Sequence, residues 1–386
     1  MSDKPEWIDR ETALSSLGVK TQTLYAYVSR GRIAARPDPD NPRRSLYAAS
    51  DIQRLKSGEG GPSPVAIRGS SGAARGEALV ESQITLISPE GPVYRGEKAI
   101  DMARRATLEQ TSRILWGAFD EDPFANQRPR VDVIFPGTAR QRLFAALARR
   151  ADEDASSRGR GARSLQREAA SILNEMADAL VGTGPRLHIH QRLARGWKMI
   201  ERDADLVRHA LVLGADHELD SSVLAARVVA GSGASLAAAA LAGLSAFSGP
   251  ENGGALSQVS TFVNDARRDA RAAVRAHLGE TGQVPGFGSN LYAGGDPRAR
   301  ALIEAARLPD DLRAIIEVGE TMTGTPANFK LALALVARKL EIPRDGAFAL
   351  AACARLSGWL AHGMDQALSG SPLRARLRYV GETPGR

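Results

Sequence analysis

Positive charge is concentrated near the start of the chain. Between residues 20 and 36 the sequence has four basic side chains and no acidic one, a local charge of +4 in a chain of net charge +7. The four are Lys20, Arg30, Arg32 and Arg36, and Arg43 and Arg44 follow in a proline-rich loop. Clustered lysine and arginine bind phosphates, because each neutralised phosphate releases a condensed counterion. The placement of the charge, more than its total, therefore favours a nucleic-acid partner.

Two short helices joined by a turn would carry this cluster. The first is expected over residues 10–17, with Asp9 as its N-cap, and Gly18 supplies the turn. The second is expected over residues 21–30, with Thr21 as its N-cap and a glycine directly after its end. Helix, turn, helix is the layout in which a second helix enters the major groove of DNA.

The wider segment resembles a known DNA-binding family. The run LGVKTQTLYAYVSRGRI, a basic loop and then SLYAASDIQRL, in which Ser50 can cap a short helix, is similar to the winged helix-turn-helix of MerR-type regulators and excisionases. In that family the second helix reads the groove and the following loop is a wing that contacts phosphates. The resemblance implies that the groove is faced by Thr21, Gln22, Thr23 and Tyr25, and that phosphates lie near Arg30, Arg32, Arg43 and Arg44.

A helical protein-interaction module is the alternative for this segment. Its charges would then only be solvated. Leu17, Val19, Leu24 and Val28 are expected in the core under either interpretation.

Composition excludes several other classes of site and location. The one cysteine, Cys353, can form neither an intramolecular disulfide nor a cysteine-based zinc site, and we expect it to be a buried small residue in a reducing cytoplasm. The first ten residues lack the pattern of a signal peptide. The most apolar segment, residues 223–247, contains Arg227 and several Gly and Ser residues, which fits a buried helix pair better than a membrane span.

Three regions of different composition divide the chain. We expect a helix-turn-helix domain over residues 1–56, a flexible Gly-, Ser- and Pro-rich linker over 57–78, and a larger, mainly helical domain over 79–386. Within the larger domain, residues 152–163 are polar and predict a surface loop or helix break. Strand candidates are few: residues 83–88 are one, and the region of Leu46 and Tyr47 is another.

The larger domain resembles the citrate synthase family through six motifs in the family's order. They are ITLISPEGPVYRG, LVLGADHELDSSVLAARVVAGSGA, SGPENGGA, VPGFGSNLYAGGDPRA, ARLSGWLAHGMDQ and LRARLRYVG. Together they span nearly all of the domain, although each alone would be weak. The resemblance implies a mainly α chain, with an all-α large domain and a small mobile domain at residues 257–343, assembled as a homodimer.

The family's three catalytic positions are all substituted in this chain. Citrate synthase removes a proton from acetyl-CoA with an aspartate and uses two histidines as hydrogen-bond donors to the enolate and to the ketone of oxaloacetate. By resemblance, the donor positions hold Asn252 and Ser289, and the base position holds Asn328. Asparagine cannot accept a proton at neutral pH, and losing a positioned general base typically costs about 10²- to 10⁴-fold in rate.

The positions that bind substrates in the family are largely retained. By resemblance, His217, Arg298, Arg355 and Arg374 would hold the carboxylates of an oxaloacetate- or citrate-like anion, because the planar arginine fork pairs bidentately with carboxylate. Pro285, Gly286, Phe287 and Gly288 would form the loop that lies against CoA or acetyl-CoA. Asp220 departs from the family, which usually has asparagine there. Without the resemblance, each of these residues would be taken as structural or solvated.

The sequence therefore favours a regulator with a DNA-binding head and a body that senses a carboxylate, with or without CoA, and has lost most of its catalysis. A divergent citrate synthase that condenses acetyl-CoA with oxaloacetate, or a related condensing enzyme with another base, is the enzymatic alternative. A weaker alternative is a structural partner of a genuine citrate synthase. We expect no permanently bound cofactor, no metal and no membrane association.

Overall fold

A computed structural model describes the chain in ten longer segments and one single residue. These are residues 7–19, 21–29, 33–38, 41, 44–56, 80–129, 136–185, 187–217, 220–292, 294–343 and 345–374. Residues 22, 26, 29, 37 and 54 are described by their backbone alone. The chain divides into a first unit, Met1–Glu81, and a second unit, Ser82–Arg386. The segment expected to be a linker lies outside the described residues.

Within its described residues, the first unit combines a small sheet with three helices. In chain order these are β1 (Trp7–Ile8), α1 (Arg10–Leu17), α2 (Thr21–Ser29), β2 (Ala35–Pro37), β3 (Ser45–Ala48) and α3 (Ala49–Lys56). The strands form an antiparallel sheet in the order β1-β3-β2. As predicted, Asp9 caps α1 by accepting a 2.8 Å hydrogen bond from the Thr12 N–H, and Gly18 ends the helix at φ 64°.

Two predicted caps in this unit are wrong. Thr21 is already helical rather than the residue before α2, and α3 begins at Ala49, so that Ser50 lies inside it. The reason at α3 is that β3 pairs with its neighbours up to Ala48 and the helix follows without a connecting residue. Asp51, also in the first turn, instead accepts a 2.9 Å hydrogen bond from the main-chain N–H of Ala34.

The first unit has its own apolar core, with the buried side chains Ala13, Leu24, Ile33, Tyr47 and Ile52. Leu17 and Val28 pack against these residues and are partly buried. The core therefore joins α1, α2, β3 and α3, and the expectation that Leu24 is a core residue is confirmed.

Where the structure describes it, the second unit is mainly helical, with one small antiparallel sheet of order β4-β5-β6 at its start. The strands are β4 (Thr85–Ser88), β5 (Gly91–Tyr94) and β6 (Glu97–Lys98). The helices that follow are α4 (Ala99–Ala103), α5 (Leu108–Trp116), α6 (Ala139–Glu153), α7 (Ala162–Val181), α8 (Ile189–Gly196), α9 (Glu201–Leu213), α10 (Ser221–Gly231), α11 (Leu236–Phe247), α12 (Ala255–Ala266), α13 (Ala270–Thr281), α14 (Pro297–Ala306), α15 (Asp310–Thr323), α16 (Phe329–Lys339) and α17 (Gly346–Ser369).

Helix α17 forms the centre of the second unit. Every residue from Gly346 to Met364 is buried. A helix that is apolar on all sides is covered on all sides, and this one packs against α10 and α11 among others. The approach to α11 is close, since a Cβ on Gly243 would lie 2.8 Å from Cγ of Trp359. Cys353 is buried within this helix, and burial raises the pKa of its thiol to about 12, which does not suit a nucleophile.

Other expectations for the second unit also hold. The polar stretch at residues 152–163 spans the break between α6 and α7, and the apolar stretch at 223–247 is the buried pair α10 and α11. No described helix has the length together with the apolar character that a membrane crossing requires.

Candidate ligand-binding site

A cavity of about 880 Å³ lies within the second unit. Its walls come from the connection between α9 and α10, the turn after α11, the loop between α13 and α14, and the N-terminal ends of α14 and α16, with α17 behind. Of the residues predicted from the sequence, those that line it are His217, Asn252, Phe287, Gly288, Ser289, Arg298, Asn328 and Arg355. Motifs more than one hundred residues apart in the chain are thus brought to one place.

Arg355 is a buried residue on α17 that faces the cavity. Its Nη1 donates to Oδ1 of Asp216 and to the main-chain carbonyl of His217, both at 3.2 Å. Its Nη2 donates to Oδ2 of Asp220 at 2.8 Å. The guanidinium is therefore already paired with two carboxylates of the protein.

Asp216 lies fully buried behind the cavity and links four parts of the unit. Its Oδ2 accepts from Thr85 Oγ1 at 2.6 Å and lies 3.0 Å from Nε2 of His362. Tyr94 donates its hydroxyl to the main-chain carbonyl of Asp216 at 3.0 Å. Burial alone would raise the pKa of Asp216, but His362 and Arg355 outweigh it and hold the pKa well below its ordinary range. Asp216 is therefore an anion that fixes Arg355.

Arg298 occupies the first turn of α14, where Asp296 is the N-cap. Its Nε and Nη2 donate to the two oxygens of Asp296 at 3.1 Å and 2.7 Å, a bidentate pair. The guanidinium also lies over the ring of Phe329, 4.5 Å from its centroid. Both neighbours fix the orientation of a buried cation in the cavity wall.

His217 follows Asp216 in the connection between α9 and α10. Its Nε2 lies 3.0 Å from the hydroxyl of Tyr292. Burial, together with the charges of Arg298 and Arg355, holds the pKa of His217 well below its ordinary value. The imidazole is thus neutral at pH 7, and it can share one hydrogen bond with Tyr292 and offer its other nitrogen elsewhere.

The three substituted positions all have structural hydrogen bonds. Asn328 is the N-cap of α16, with Oδ1 accepting from the N–H groups of Lys330 and Leu331, and its Nδ2 donates to the Gly288 carbonyl at 3.0 Å. Asn252 donates through Nδ2 to Ser221 Oγ at 3.1 Å. The hydroxyl of Ser289 accepts from two main-chain N–H groups at 3.3 Å. None of the three side chains is a carboxylate or an imidazole, so they can orient a ligand but not take up its proton.

The loop at residues 285–288 is held tightly against its neighbours. Gly286 has a φ of 93°, and a Cβ there would lie 2.8 Å from the Leu331 side chain, so only glycine fits without a shift. The carbonyl of Gly286 accepts from the Asn328 N–H at 2.9 Å. Phe287 and Gly288 line the cavity, whereas Pro285 and Gly286 support the loop without lining it.

Several residues that sequence reasoning missed contribute to the cavity wall. Tyr292 positions His217, Asp296 holds Arg298, and Asp216 holds Arg355. Lys330, in the first turn of α16, lines the cavity and donates to the main-chain carbonyl of Glu251. Burial lowers the pKa of Lys330. The Asp-Pro pair before α14 was a readable helix-start signal for Asp296, but the sequence gives no comparable signal for Lys330.

Arg374 is not brought to the cavity. It follows the end of α17, is exposed, and is absent from the residues that line the space. Within the described residues, no group of three or more His, Cys, Asp or Glu side chains is arranged to hold a metal ion.

The residues predicted to contact DNA lie in the first unit. Thr21, Thr23 and Tyr25 are on α2, and the Tyr25 side chain is 50% exposed. Arg44 directly precedes β3. Nothing is described of the side chain of Gln22, and Arg30, Arg32 and Arg43 lie outside the described residues. Of the other basic residues in this segment, Arg36 lies over the ring of Trp7, 4.5 Å from its centroid.

Comparison with known proteins gives one family match. The family model described as citrate synthase, C-terminal domain, matches residues 134–376. A protein named putative citrate synthase 2 from Mycobacterium bovis is 32% identical over 187 residues, 45% of this chain and 50% of that protein. Citrate synthase 2 of Bacillus subtilis is 30% identical over 191 residues, 46% of this chain and 51% of that protein. The chain thus matches about half the length of these relatives.

Longer matches are more distant in sequence. A citrate synthase of Haloferax volcanii is 26% identical over 368 residues, covering 80% of this chain and 94% of that protein. Among solved structures, citrate synthase from Thermotoga maritima aligns with a TM-score of 0.67 at 21% identity, covering 81% of this chain and 96% of that one. A complex of citrate synthase from Thermoplasma acidophilum with carboxymethyl coenzyme A and oxaloacetate aligns with a TM-score of 0.63 at 19% identity, covering 80% and 95%. At these identities the two structural matches establish a shared fold.

Proposed function

This chain belongs to the citrate synthase family, and on that premise we propose that it is a carboxylate-sensing transcriptional regulator with little or no condensing activity. Its cavity binds a small carboxylate in the size range of oxaloacetate or citrate. Its first unit is a winged helix-turn-helix that binds DNA.

Carboxylate binding is the part of the proposal with the most direct support. The observation that carries it is the convergence of Arg298, Arg355 and neutral His217 on one cavity. Two buried arginines and a neutral imidazole are suited to an anion that carries oxygen acceptors, because each offers directed N–H donors. The paired carboxylates Asp296 and Asp216 keep the arginines oriented before a ligand arrives.

The proposed loss of catalysis is supported by the structural hydrogen bonds that the Asn328 side chain makes. Its oxygen caps α16 and its amide nitrogen donates to the Gly288 carbonyl, so both ends of the side chain are committed to structure. The carboxylates that line the cavity, Asp220 and Asp296, are ion-paired to Arg355 and Arg298. The oxygens of both carboxylates already accept hydrogen bonds from these arginines and from main-chain N–H groups, so they serve as structural acceptors.

DNA binding is supported by the order of elements in the first unit. Helix α1, the turn at Gly18 and helix α2 precede the antiparallel strands β2 and β3, which is the order of a helix-turn-helix followed by a wing. Tyr25 on α2 is half exposed, as a groove-reading residue must be. The local charge of +4 over residues 20–36 supplies the attraction to phosphate.

CoA binding and dimerisation complete the proposal. Phe287 and Gly288 would lie against CoA, which gains support from the ligands of the solved Thermoplasma acidophilum complex. We also propose that the protein is a homodimer and that residues 257–343 form a small domain that moves when ligand binds. Light scattering of the purified chain measures the oligomeric state, and small-angle scattering with and without ligand measures the movement of the small domain.

Titration calorimetry tests ligand binding. We expect saturable binding of oxaloacetate or citrate, and we expect Arg355→Ala to weaken it by about 2–5 kcal/mol if the paired carboxylate is desolvated. Arg313→Ala is the matched control, because Arg313 forms an exposed ion pair on α15 outside the cavity. Equal affinities in wild type and Arg355→Ala would remove Arg355 from the binding site.

A divergent citrate synthase is the second candidate, favoured by the same retained cavity residues and by the names of the relatives. An assay of CoA release from acetyl-CoA and oxaloacetate at high protein concentration separates the two. Turnover of order 1–10³ per second would establish the enzyme and refute the sensor without catalysis. If turnover is weak, Asn328→Asp combined with Asn252→His and Ser289→His should raise it, and no gain would mean that these are not the catalytic positions.

A further inference from the structure

Asp220 is a rigidly held carboxylate at the edge of the cavity. As the N-cap of α10, its Oδ1 accepts from the N–H groups of Ser222 and Val223 at 2.9 Å and 3.0 Å, and from the Ser222 hydroxyl at 2.5 Å. Its Oδ2 accepts from Arg355 Nη2 at 2.8 Å. One oxygen is thus fixed by a helix end, and the other is aimed at the arginine that faces the ligand.

This arrangement changes what Arg355 can bind. Three hydrogen bonds of its guanidinium already go to Asp216, His217 and Asp220. A ligand carboxylate that approaches Arg355 must come close to the fixed charge of Asp220, and like charges at a desolvated contact oppose binding. A neutral group that both donates and accepts avoids this conflict, since it can give an N–H or O–H to Asp220 and accept from Arg355.

We propose that Asp220 determines the charge of the ligand, so that the cavity selects a compound with one carboxylate and a neutral donor–acceptor group, such as a carboxamide, at the Arg355 end. This inference rests on the proposed carboxylate site and names the class of compound that the site takes. Asp220 acts as a specificity residue by repelling the wrong ligand, a form of discrimination that favourable contacts alone do not provide.

Two other lining cations offer partners for the carboxylate of such a ligand. Arg298 is held in the cavity wall by its bidentate pair with Asp296. Lys330 donates to a main-chain carbonyl and makes no ion pair within the described part of the chain. Arg298 and Lys330 are therefore the lining cations, apart from Arg355, that can pair with the one carboxylate of such a ligand.

Calorimetry with succinate and succinamate tests the inference. These probes have the same size, and they differ in that one carboxylate of succinate is a carboxamide in succinamate. We expect the wild-type protein to bind succinamate at least about tenfold more tightly than succinate, because only succinate places a charge against Asp220. In Asp220→Asn we expect the preference for succinamate, measured as the Kd of succinate divided by the Kd of succinamate, to fall by about tenfold or more. The variant removes the charge of residue 220, while asparagine can still cap α10.

Asp269→Asn is the matched control. Asp269 is the N-cap of α13 and accepts from the Ala272 N–H at 2.9 Å, but it does not line the cavity. We expect this variant to keep the wild-type ratio, and the thermal unfolding midpoints of both variants show whether they are folded.

Two results would overturn the inference while leaving carboxylate binding intact. One is a wild-type protein that binds succinate at least as tightly as succinamate, and the other is an unchanged ratio in Asp220→Asn. If neither probe binds to wild type or variant at millimolar concentration, the proposed carboxylate site is itself wrong and the inference falls with it. Absence of binding thus contradicts the proposed carboxylate site, and an affinity ratio other than the expected one contradicts the role of Asp220.

Discussion

The ring of Phe287 lies directly against the backbone of Gly319 on α15. A Cβ on Gly319 would be 2.0 Å from Cζ of Phe287 and 2.5 Å from its Cε1, far inside van der Waals contact. The loop that would hold CoA therefore keeps its place because residue 319 has no side chain. This close approach explains a glycine in a helix interior, where glycine is otherwise unfavourable.

Gly319→Ala should destabilise the protein and weaken CoA binding, although alanine is the better helix former. We expect a loss of about 1–3 kcal/mol from the displaced ring, against a helix gain of about 1 kcal/mol. Gly279→Ala on α13 is the matched control, because a Cβ there meets nothing within 4 Å. It should be neutral or stabilise by about 0.5–1 kcal/mol. Urea unfolding measures the stability of both variants. Equal changes in the free energy of unfolding would show that the Phe287 ring moves aside without cost.

Asp216→Asn should be among the most damaging single changes in the second unit. The variant leaves Arg355 and His362 buried without their shared anion, and removing one partner of a buried ion pair typically costs about 3–5 kcal/mol. The comparable change Asp310→Asn breaks an exposed pair with Arg313 and should cost less than about 1 kcal/mol. Chemical denaturation of the two variants checks the contrast, which disappears if the Asp216 network contributes nothing net.

His190 should make stability fall in mild acid. Burial lowers its pKa from 6.5 to about 4, and its buried Nδ1 has no hydrogen-bond partner among the residues that the structure describes. Between pH 6.5 and about 4, His190 binds a proton in the unfolded chain but not in the folded one. The contribution of His190 to the free energy of unfolding is therefore complete above about pH 6.5 and is lost as pH falls towards 4. The size is on the order of 3 kcal/mol at most.

The variant His190→Gln isolates this contribution. Its free energy of unfolding should depend less steeply on pH between about 6.5 and 4 than that of the wild type. The ring of His188, stacked 5.7 Å away, has its pKa raised by Glu109, whose Oε2 lies 3.7 Å from His188 Nδ1. Its contribution to stability therefore has the opposite pH dependence and is lost as pH rises. Parallel pH profiles for wild type and His190→Gln would mean that His190 does not titrate as described.

DNA binding by the full chain should be specific and sensitive to salt. A two-headed dimer is expected to select an inverted repeat with half-sites about 10 base pairs apart or a multiple of that, although a flexible linker would relax the spacing. Changing Arg43 and Arg44 to Ala should weaken binding to all sequences, and changing Gln22 or Tyr25 should alter sequence preference. The exposed Arg163 in the second unit gives a control substitution to Ala.

Selection from random duplexes, followed by gel shifts at several salt concentrations, provides the measurement. The first unit alone should bind much more weakly than the full chain, because it loses the second half-site. If the full chain enriches no sequence and its residual binding disappears at physiological salt, the first unit does not read DNA and the regulator is excluded.

Local sequence signals predicted helix α1 correctly but not the starts of α2 and α3. Asp9 and Gly18 fix both ends of α1 through a cap and a left-handed residue, and neither depends on distant parts of the chain. Ser50 was expected to cap α3 for the same kind of reason, but strand pairing up to Ala48 decided the boundary instead. Tertiary pairing thus overrides a capping preference worth about 1 kcal/mol.

The residues that line the cavity could largely be predicted from the sequence, but the ion pairs between them could not. Motif order pointed to His217, Arg298 and Arg355, and all three line the same space. The contact of Arg355 with Asp220 spans 135 positions and depends on how α10 meets α17, which no local pattern encodes. Arg374 came from the same motif reasoning, yet it lies exposed beyond the end of α17.

The span of the Asp216 network has a consequence for the newly made chain. Thr85 and Asp216 are 131 positions apart, and Asp216 and His362 are 146 apart. The wall behind the cavity therefore closes only when β4, the connection between α9 and α10, and α17 are all present. Contacts of such sequence separation form late in folding, because the entropy of loop closure must be overcome first. While the protein is being translated, its early helices can form long before α17 leaves the ribosome. On the proposed function, a ligand would therefore stabilise completed chains but would find no finished site on a growing one.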